Sequence, residues 1–467
     1  MLQDSFFKDK RITVFGLGSN MGGVGTVKFL VEQGAREIIV TDIKSRDELG
    51  DALEKLAKYK NVTYILGQHR PEDFMRVDMV IKNPVIPWTN EYVKLAQQHQ
   101  IPVEMDSSIF FALCKVPIVG VTGTKGKTTT ATLVAHLLEQ AGREVVRVGI
   151  GQTSVLGNFK KITEKSIVVF ELSSWRLSAL GHLKKSPHIA VLTTVYPDHL
   201  NYYKTMETYL SDKKNIFLFQ KQKDILVANF DDMAVRTLVQ DAQSTIIWFS
   251  CGNGIDGDGV WMQDGSISVR QQGMTKTILA LTDIPLKGEY NITNVLAAVA
   301  VAVASGLTEK QIVSGVASFP GVSHRLEYIR EKNGVQYYND TAATIPEATI
   351  AALHSFSEPI ILIAGGNDKR LNFDVLAEEI LKHSKGLILF KGDATEKLLQ
   401  AIKIKLPQSE KDRPFEVVES MAKAVELAFR GAETGDVVLL SPGAASFGIF
   451  KNEFDRGEQF RVAVEAL

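Results

Sequence analysis

Between Pro117 and Leu138 the chain reads PIVGVTGTKGKTTTATLVAHLL: a short apolar run, a glycine-rich turn, then an apolar-periodic stretch. The turn residues Gly123, Thr124, Lys125, Gly126, Lys127, Thr128 and Thr129 suit a nucleoside triphosphate. Glycines let backbone amides approach phosphate oxygens, the Lys127 ammonium offsets charge on the β- and γ-phosphates, and the Thr128 hydroxyl can ligate Mg²⁺. A helix starting here points its free N–H groups at the same anion. The strict pattern has a glycine where this chain has Val121, with Gly120 and Gly123 on either side. An ordinary strand-to-helix turn is the plainer alternative, but the order of strand, Gly-Lys-Thr and helix favours a variant ATP-binding loop.

Two further apolar runs end on chemically capable side chains. Ile167–Phe170 leads into Glu171, and Ile189–Thr193 into Asp198 and His199. A carboxylate leaving a strand beside such a loop can hold the Mg²⁺ that Thr128 touches, and it can equally cap the next helix. Asp and His at a strand exit serve metal or acid/base work. The amphipathic stretch 206–219 carries Lys213 and Lys214, which composition alone assigns to a solvated face. Asn291 and Asn294 precede an alanine-rich helix, where they can cap it or read the edge of adenine.

The elements that must position these groups alternate strand and helix along the whole chain. The first segment predicts strands at 12–15, 38–40, 62–66, 79–82 and 101–104, with a helix over 24–33. Its first turn carries Gly16, Gly18 and Ser19, and its second strand ends at Asp42, where a Rossmann unit sets an acid for a ribose hydroxyl. Met21 stands where the dinucleotide fingerprint requires glycine, so a substrate bearing a nucleotide diphosphate suits the turn better than NAD. A turn that binds nothing is the bland alternative. Asn83-Pro84 follows a strand end, where such sheets bind ligands.

After the glycine-rich loop come strands at 144–148, 225–229, 245–249, 260–262, 266–269 and 277–281, then helices to Ser305 and over 309–318. The last segment predicts strands at 335–338, 360–364, 386–390 and 437–441. Their exits carry Asp340, Thr344, Lys369 and Ser446.

At 467 residues the chain is too long for one core, and about three domains are expected. The fold class is α/β: a Rossmann-like domain over 1–114, a central ATPase-type domain on a mostly parallel sheet over 115–318, and a Rossmann-like C-terminal domain over 319–467. A net charge of −1 gives no basic surface for nucleic acid. The N-terminus has no apolar export segment, and the longest apolar run, Val295–Ala304, is far short of the roughly 20 residues that cross a bilayer. Cys114 and Cys251 lie in no metal-ligand spacing, so reduced thiols and a cytoplasmic location are expected.

Taken in order, GTKGKTTT, FELSSW, PDHLNYY, GEYNITN, SHRLEY, NDTAAT and SPGAASFGIFKN resemble the Mur ligase family over essentially the whole chain. Thr344-Ile-Pro346 replaces the Ala-His pair of the members that add the first and third residues, so the pattern is most like the member that adds glutamate. Folylpolyglutamate synthases share the loop type but begin close to it, whereas this chain places more than a hundred residues before it.

The resemblance implies ATP-dependent ligation of glutamate, expected to be D-glutamate, to UDP-N-acetylmuramoyl-L-alanine through an acyl phosphate in peptidoglycan precursor synthesis. It implies two Mg²⁺ ions, held by Thr128, Glu171, His199 and a Lys213 carbamylated by CO₂, with Lys127 on the γ-phosphate. Asn294, Arg325 and Asp340 match ATP-contacting positions, Ser19, Asp42 and Asn83 the nucleotide-substrate side, and Thr344, Lys369 and Ser446 the amino-acid side. A monomer acting on small molecules is implied, with closure about Phe319–Gly321.

Four departures stand out: Ala342 for a lysine, Ile345 for an asparagine, Glu453 for an aromatic residue, and Gly149-Ile-Gly151-Gln152 without its asparagine. They leave L-glutamate or another amino acid open. A nucleotide-binding regulatory protein that has lost ligation is a further alternative, opposed by the joint presence of Lys127, Thr128, Glu171, His199 and Lys213.

Overall fold

The computed structural model describes residues 6–18, 21–151, 153–252, 254–410 and 415–467. It is a three-domain α/β fold built on three mostly parallel sheets. The strands of the first are β1 (Arg11–Phe15), β2 (Glu37–Asp42), β3 (Val62–Leu66), β4 (Met79–Lys82) and β5 (Val103–Glu104), in the order β3-β2-β1-β4-β5, all parallel. The order reverses between β1 and β4, and it is at such reversals that loops diverge and leave a crevice. The expected strand over 101–104 is cut to two residues. Pro102 has no N–H to give, and its carbonyl alone pairs with Val80 N at 2.9 Å.

The second sheet contains β6 (Ile118–Thr122), β7 (Glu144–Val148), β8 (Ser166–Glu171), β9 (Ile189–Leu192), β10 (Ile225–Asn229) and β11 (Thr245–Ser250). Beyond them lie β12 (Gly259–Gln263), β13 (Ser266–Gln271) and β14 (Met274–Ala280), the last two antiparallel to their neighbours. The order is β14-β13-β12-β11-β10-β9-β6-β8-β7. Strand β6 is therefore flanked by β8 and β9, whose buried apolar runs need cover on both faces. All three end at the same edge.

The third sheet holds β15 (Glu327–Lys332), β16 (Val335–Asn339), β17 (Ile360–Gly365), β18 (Ser384–Phe390), β19 (Glu416–Val418) and β20 (Val437–Leu440), in the order β15-β16-β20-β17-β18-β19. Its two edge strands escape the sequence reading. Strand β15 reads EYIREK, charged as an exposed edge should be, and β19 has three residues. Apolar clusters cover both faces of this sheet.

Met1–Ile284 with Thr293–Phe319 form one compact unit, and Pro285–Ile292 with Pro320–Leu467 the other. Within the first unit the first two sheets share one continuous apolar core. Phe110, in the helix Asp106–Leu113, packs edge-on against Phe159 at 5.7 Å and against Phe170 of β8 at 5.3 Å. Trp88 Nε1 donates to Ser178 Oγ at 2.8 Å across the same seam, and Arg176 pairs with Asp106 at 2.9 Å.

Candidate active site

The loop after β6 folds as a phosphate cradle. Lys127 opens the helix Lys127–Gln140, and Gly126 precedes it at φ +85°, in the left-handed region that glycine adopts without strain. A Cβ at Gly126 would also overlap Asn294 Oδ1, which accepts from Thr130 Oγ1 at 3.3 Å. Gly126→Ala is therefore expected to lower stability by about 1–3 kcal/mol and to weaken ATP binding, read by urea melts and nucleotide titration. Lys127 Nζ curls back to donate to the carbonyls of Gly123 and Thr124, each at 3.0 Å.

The residues after β9 brace the loop from below. Thr124 N donates to Thr194 O at 2.7 Å, Lys125 N to Thr194 Oγ1 at 3.0 Å, and Thr193 Oγ1 to Lys125 O at 2.5 Å. The Thr193-Thr194 pair escapes the sequence reading. Its signal is two hydroxyls at a strand exit.

Three expected groups converge on this cradle. Thr128 Oγ1 donates to Glu171 Oε1 at 3.1 Å. That spacing equals the ~3 Å separation of two neighbouring oxygens on one octahedral Mg²⁺, given bonds of about 2.0–2.1 Å. His199 caps the short helix Leu200–Tyr203 at φ +53°, with its ring 4.6 Å from that of Trp175. Burial is the main force holding its pKa below the ordinary histidine value, and Lys127, Lys213 and Lys125 push the same way against Asp198. The shift favours the neutral imidazole, the form that ligates a metal.

Lys213 lies in the helix Met206–Lys214 and is 1% exposed, so the solvated face that composition assigns to it does not exist. Its ammonium sits 4.8 Å from the Tyr209 ring, whose hydroxyl meets Thr124 Oγ1 at 3.0 Å. Among the described residues no carboxylate closes an ion pair with Lys213. Burial, then the nearby Lys127 charge, drive its pKa well below the usual lysine value. A neutral amine is what reacts with CO₂. The donor set of hydroxyl, carboxylate and imidazole thus fits a divalent cation, and a buried lysine whose charged form is disfavoured fits a carbamate.

At the β1/β4 reversal lies a cavity of about 710 Å³, lined by Gly18, Asp42, Asn83, Asp106, Trp175 and Arg176 among others. Asp42 accepts from Gly18 N at 2.9 Å and from Lys44 N at 3.0 Å, and Asn83 Nδ2 donates to Gly16 O at 3.3 Å. Ser19 lies outside the described residues. Gly23 makes a close helix–loop approach just after β1, because a Cβ there would overlap Leu17 O. Among the described residues Trp175 Nε1 is buried without a hydrogen-bond partner. Lys82, 1% exposed, donates to Ile86 O at 2.7 Å, and burial lowers its pKa to about 7. Lys82, Asp106 and Arg176 escape the sequence reading, since nothing local marks a pair 70 residues apart.

In the second unit the exits of β16, β20 and β17 adjoin. Asp340 N donates to Leu440 O at 2.7 Å, while its carboxylate accepts from Ser441 Oγ at 2.9 Å and Leu326 N at 3.2 Å. Ser446 is buried, Thr344 is half-buried, and Lys369 is exposed on the loop after β17. Arg325 acts electrostatically on Asp340. Arg456, 0% exposed, donates to Thr341 Oγ1 at 2.9 Å, Thr341 O at 3.0 Å and Ala444 O at 3.3 Å, which ties the β16 loop to the β20 loop. Glu453 acts electrostatically on this guanidinium, which gives the acid at that position a local reason. Arg456→Met strands three acceptors and is expected to cost about 2–4 kcal/mol in urea unfolding.

Burial raises the Asp340 pKa from its usual 3.8 to about 7, against the lowering pull of Ser441, Leu326 N and Arg325. The sign follows: the contribution to stability is full below pH 3.8 and is lost as pH rises through about 7. Asp340→Asn is therefore expected to gain stability relative to the parent more at pH 8 than at pH 5. Paired urea melts check it, and a difference independent of pH would refute it.

Comparison with known proteins gives a consistent result. The Mur ligase MurD-like N-terminal domain matches residues 10–104, the Mur ligase middle domain 121–302, and the Mur ligase glutamate ligase domain 324–443. A UDP-N-acetylmuramoylalanine--D-glutamate ligase of Roseiflexus sp. (strain RS-1) is 42% identical over 98% of this chain and 99% of its own. The like-named protein of Acetivibrio thermocellus is 35% identical over 98% and 97%. Among solved structures, the UDP-N-acetylmuramate-alanine ligase MurC of Thermotoga maritima superposes with a TM-score of 0.61 at 17% identity, over 98% of this chain and 99% of that one. MurF of Acinetobacter baumannii gives 0.59 at 13%, over 100% and 93%. No helix among the described residues is long and apolar enough to cross a membrane.

Proposed function

The chain belongs to the Mur ligase family, and on that premise we propose that it joins D-glutamate to UDP-N-acetylmuramoyl-L-alanine at the expense of ATP, in peptidoglycan precursor synthesis. The observation that carries this reading is the meeting at one sheet edge of the phosphate cradle, the Thr128–Glu171 contact, His199 and buried Lys213. A regulatory protein without chemistry has no use for a lysine buried beside the charge of a second lysine, which costs stability.

A carboxylate is a poor electrophile, so the substrate carboxylate first takes the γ-phosphoryl group of ATP. The amine of glutamate then attacks the acyl carbon, the tetrahedral adduct expels phosphate, and the amide forms. Lys127 offsets charge gathering on the transferred group. Thr128, Glu171, His199 and carbamylated Lys213 would hold two Mg²⁺ ions, which would supply positive charge to offset that of the phosphates. Carbamylation turns a cation into an anionic oxygen ligand, removing the repulsion between Lys213 and a metal.

In the same reading Gly123–Thr129, Asn294, Arg325 and Asp340 contact ATP. Asp42 and Asn83 hold the nucleotide end of the substrate, and Thr344, Lys369 and Ser446 the amino acid. In the same reading the domains span 1–114, 115–318 and 319–467. The substrates are small molecules, and the reading takes the enzyme as a cytoplasmic monomer with both thiols free.

The test is phosphate release from ATP and Mg²⁺ with UDP-N-acetylmuramoyl-L-alanine and D-glutamate, L-glutamate or no amino acid, with product masses recorded. Turnover and product with D-glutamate alone are expected. Preference for L-glutamate would make Ala342, Ile345 and Glu453 the determinants of the acceptor amine, and silence with both would overturn the reading.

A further inference from the structure

The second unit brings two imidazoles and a carboxylate together. His354 caps the C-terminal end of the helix Pro346–Leu353, while Glu379 and His383 lie four residues apart on one face of the helix Asp374–His383. His354 Nε2 lies 2.6 Å from Glu379 Oε2, and His383 Nε2 lies 3.3 Å from that same oxygen. All three ligand atoms fall within 4.8 Å of one another. The other carboxylate oxygen, Oε1, accepts from Lys382 Nζ at 3.0 Å.

We propose that His354, Glu379 and His383 form a binding site for a late first-row divalent metal, Zn²⁺ being the reference ion, which staples the ends of these two helices. Two imidazoles and one carboxylate are a donor set that Zn²⁺ accepts with water in the fourth position. Bonds of about 2.0–2.2 Å place neighbouring ligand atoms about 3.3–3.6 Å apart, so the cluster needs only small side-chain rotations to close on an ion. Exposure permits those rotations: the His354 and His383 side chains are 49% and 38% exposed, whereas Glu379 is 14% exposed and held by Lys382. That hold fixes the carboxylate plane, as a supporting hydrogen bond does for a metal ligand, while Oε2 already faces both imidazoles. Nitrogen donors select Zn²⁺, Ni²⁺ or Cu²⁺ over Mg²⁺, so the site does not compete for the ion that ATP carries.

The two helices begin where the loops carrying Thr344 and Lys369 end. A metal at their far ends would remove their freedom to slide past each other, and with it some freedom of those two loops.

The experiment is Zn²⁺ titration of the full chain against a chromophoric chelator, for the parent, each of His354→Ala and His383→Ala, and the double variant. The parent is expected to take up one more Zn²⁺ per chain than the double variant, with each single change weakening that step roughly tenfold or more. Zn²⁺ is expected to raise the melting temperature of the parent more than that of the double variant. Equal stoichiometry and affinity in parent and double variant, or no uptake by the parent at micromolar Zn²⁺, would overturn the proposal. Unchanged metal-free melting of the double variant shows that its fold is intact.

Discussion

Replacing Lys213 by Met is expected to reduce ligation about 10³-fold while leaving the protein as stable as before, or more so. The two effects separate because of where the residue lies. Its ammonium is 1% exposed, faces the charge of Lys127, and has the Tyr209 ring for its close neighbour. Such a group costs stability when charged, and a thioether of similar length fills the same space without that cost. An ordinary structural lysine behaves the other way: its removal lowers stability and leaves chemistry alone. On the proposed carbamylation, the loss in rate comes from a missing anionic oxygen where charge gathers during phosphoryl transfer, and single electrostatic contacts of that kind contribute about 10²–10³. Phosphate-release rates with thermal melts on both proteins decide it. Carbon-13 NMR after incubation with labelled bicarbonate supplies a second readout, a carbamate signal in the parent that is missing from Lys213→Met. A variant retaining a tenth of the parent rate would remove Lys213 from the chemistry.

Lys127→Ala is the other change with a large expected effect, again about 10³-fold in phosphate release. Here no gain in stability accompanies it. Lys127 Nζ donates to the Gly123 and Thr124 carbonyls at 3.0 Å, so truncation also loosens the loop that aims its amides at the phosphates. Lys127→Arg is expected to fall nearly as far. The planar guanidinium is too large for a cradle in which Gly126 already abuts Asn294, and it replaces a compact charge by a spread one. Comparing kcat with nucleotide affinity separates the causes, since a loss confined to affinity would mean that Lys127 only holds ATP.

What can be read in the sequence follows a physical line. Strands β6, β8 and β9 are fully apolar runs with abrupt polar ends, so the loop at Gly123–Thr129, Glu171 and His199 are visible as strand exits. Lys213 is not visible that way. Beside Asp212 and Lys214 it reads as part of a solvated face, and only the packing of its helix against the rest of the first unit excludes water. Arg456, Asp106 and Arg176 are hidden for another reason: their partners are distant in sequence, and a lone arginine or aspartate reads as surface. The close approach of Gly23 to Leu17, just after β1, is not legible from the fingerprint, in which Met21 stands where glycine is required. Edge strands β15 and β19 are hidden by their own solubility, charged in one case and very short in the other.

The core shared by the first two sheets has a consequence for selectivity. The cavity at β1 and β4 and the cradle after β6 are carried on one body, joined by Phe110, the Trp88–Ser178 contact and the Arg176–Asp106 pair. Trp175 and Arg176 line the cavity only a few residues beyond Glu171, so one short stretch of chain borders both places. The span between them is therefore fixed, and it works as a ruler. On the proposed function, a substrate anchored in this cavity by its nucleotide reaches the phosphate loop with its carboxylate only if its own length matches that span. An acceptor one residue too short or too long is then expected to be rejected by distance, before any side chain has to recognise it.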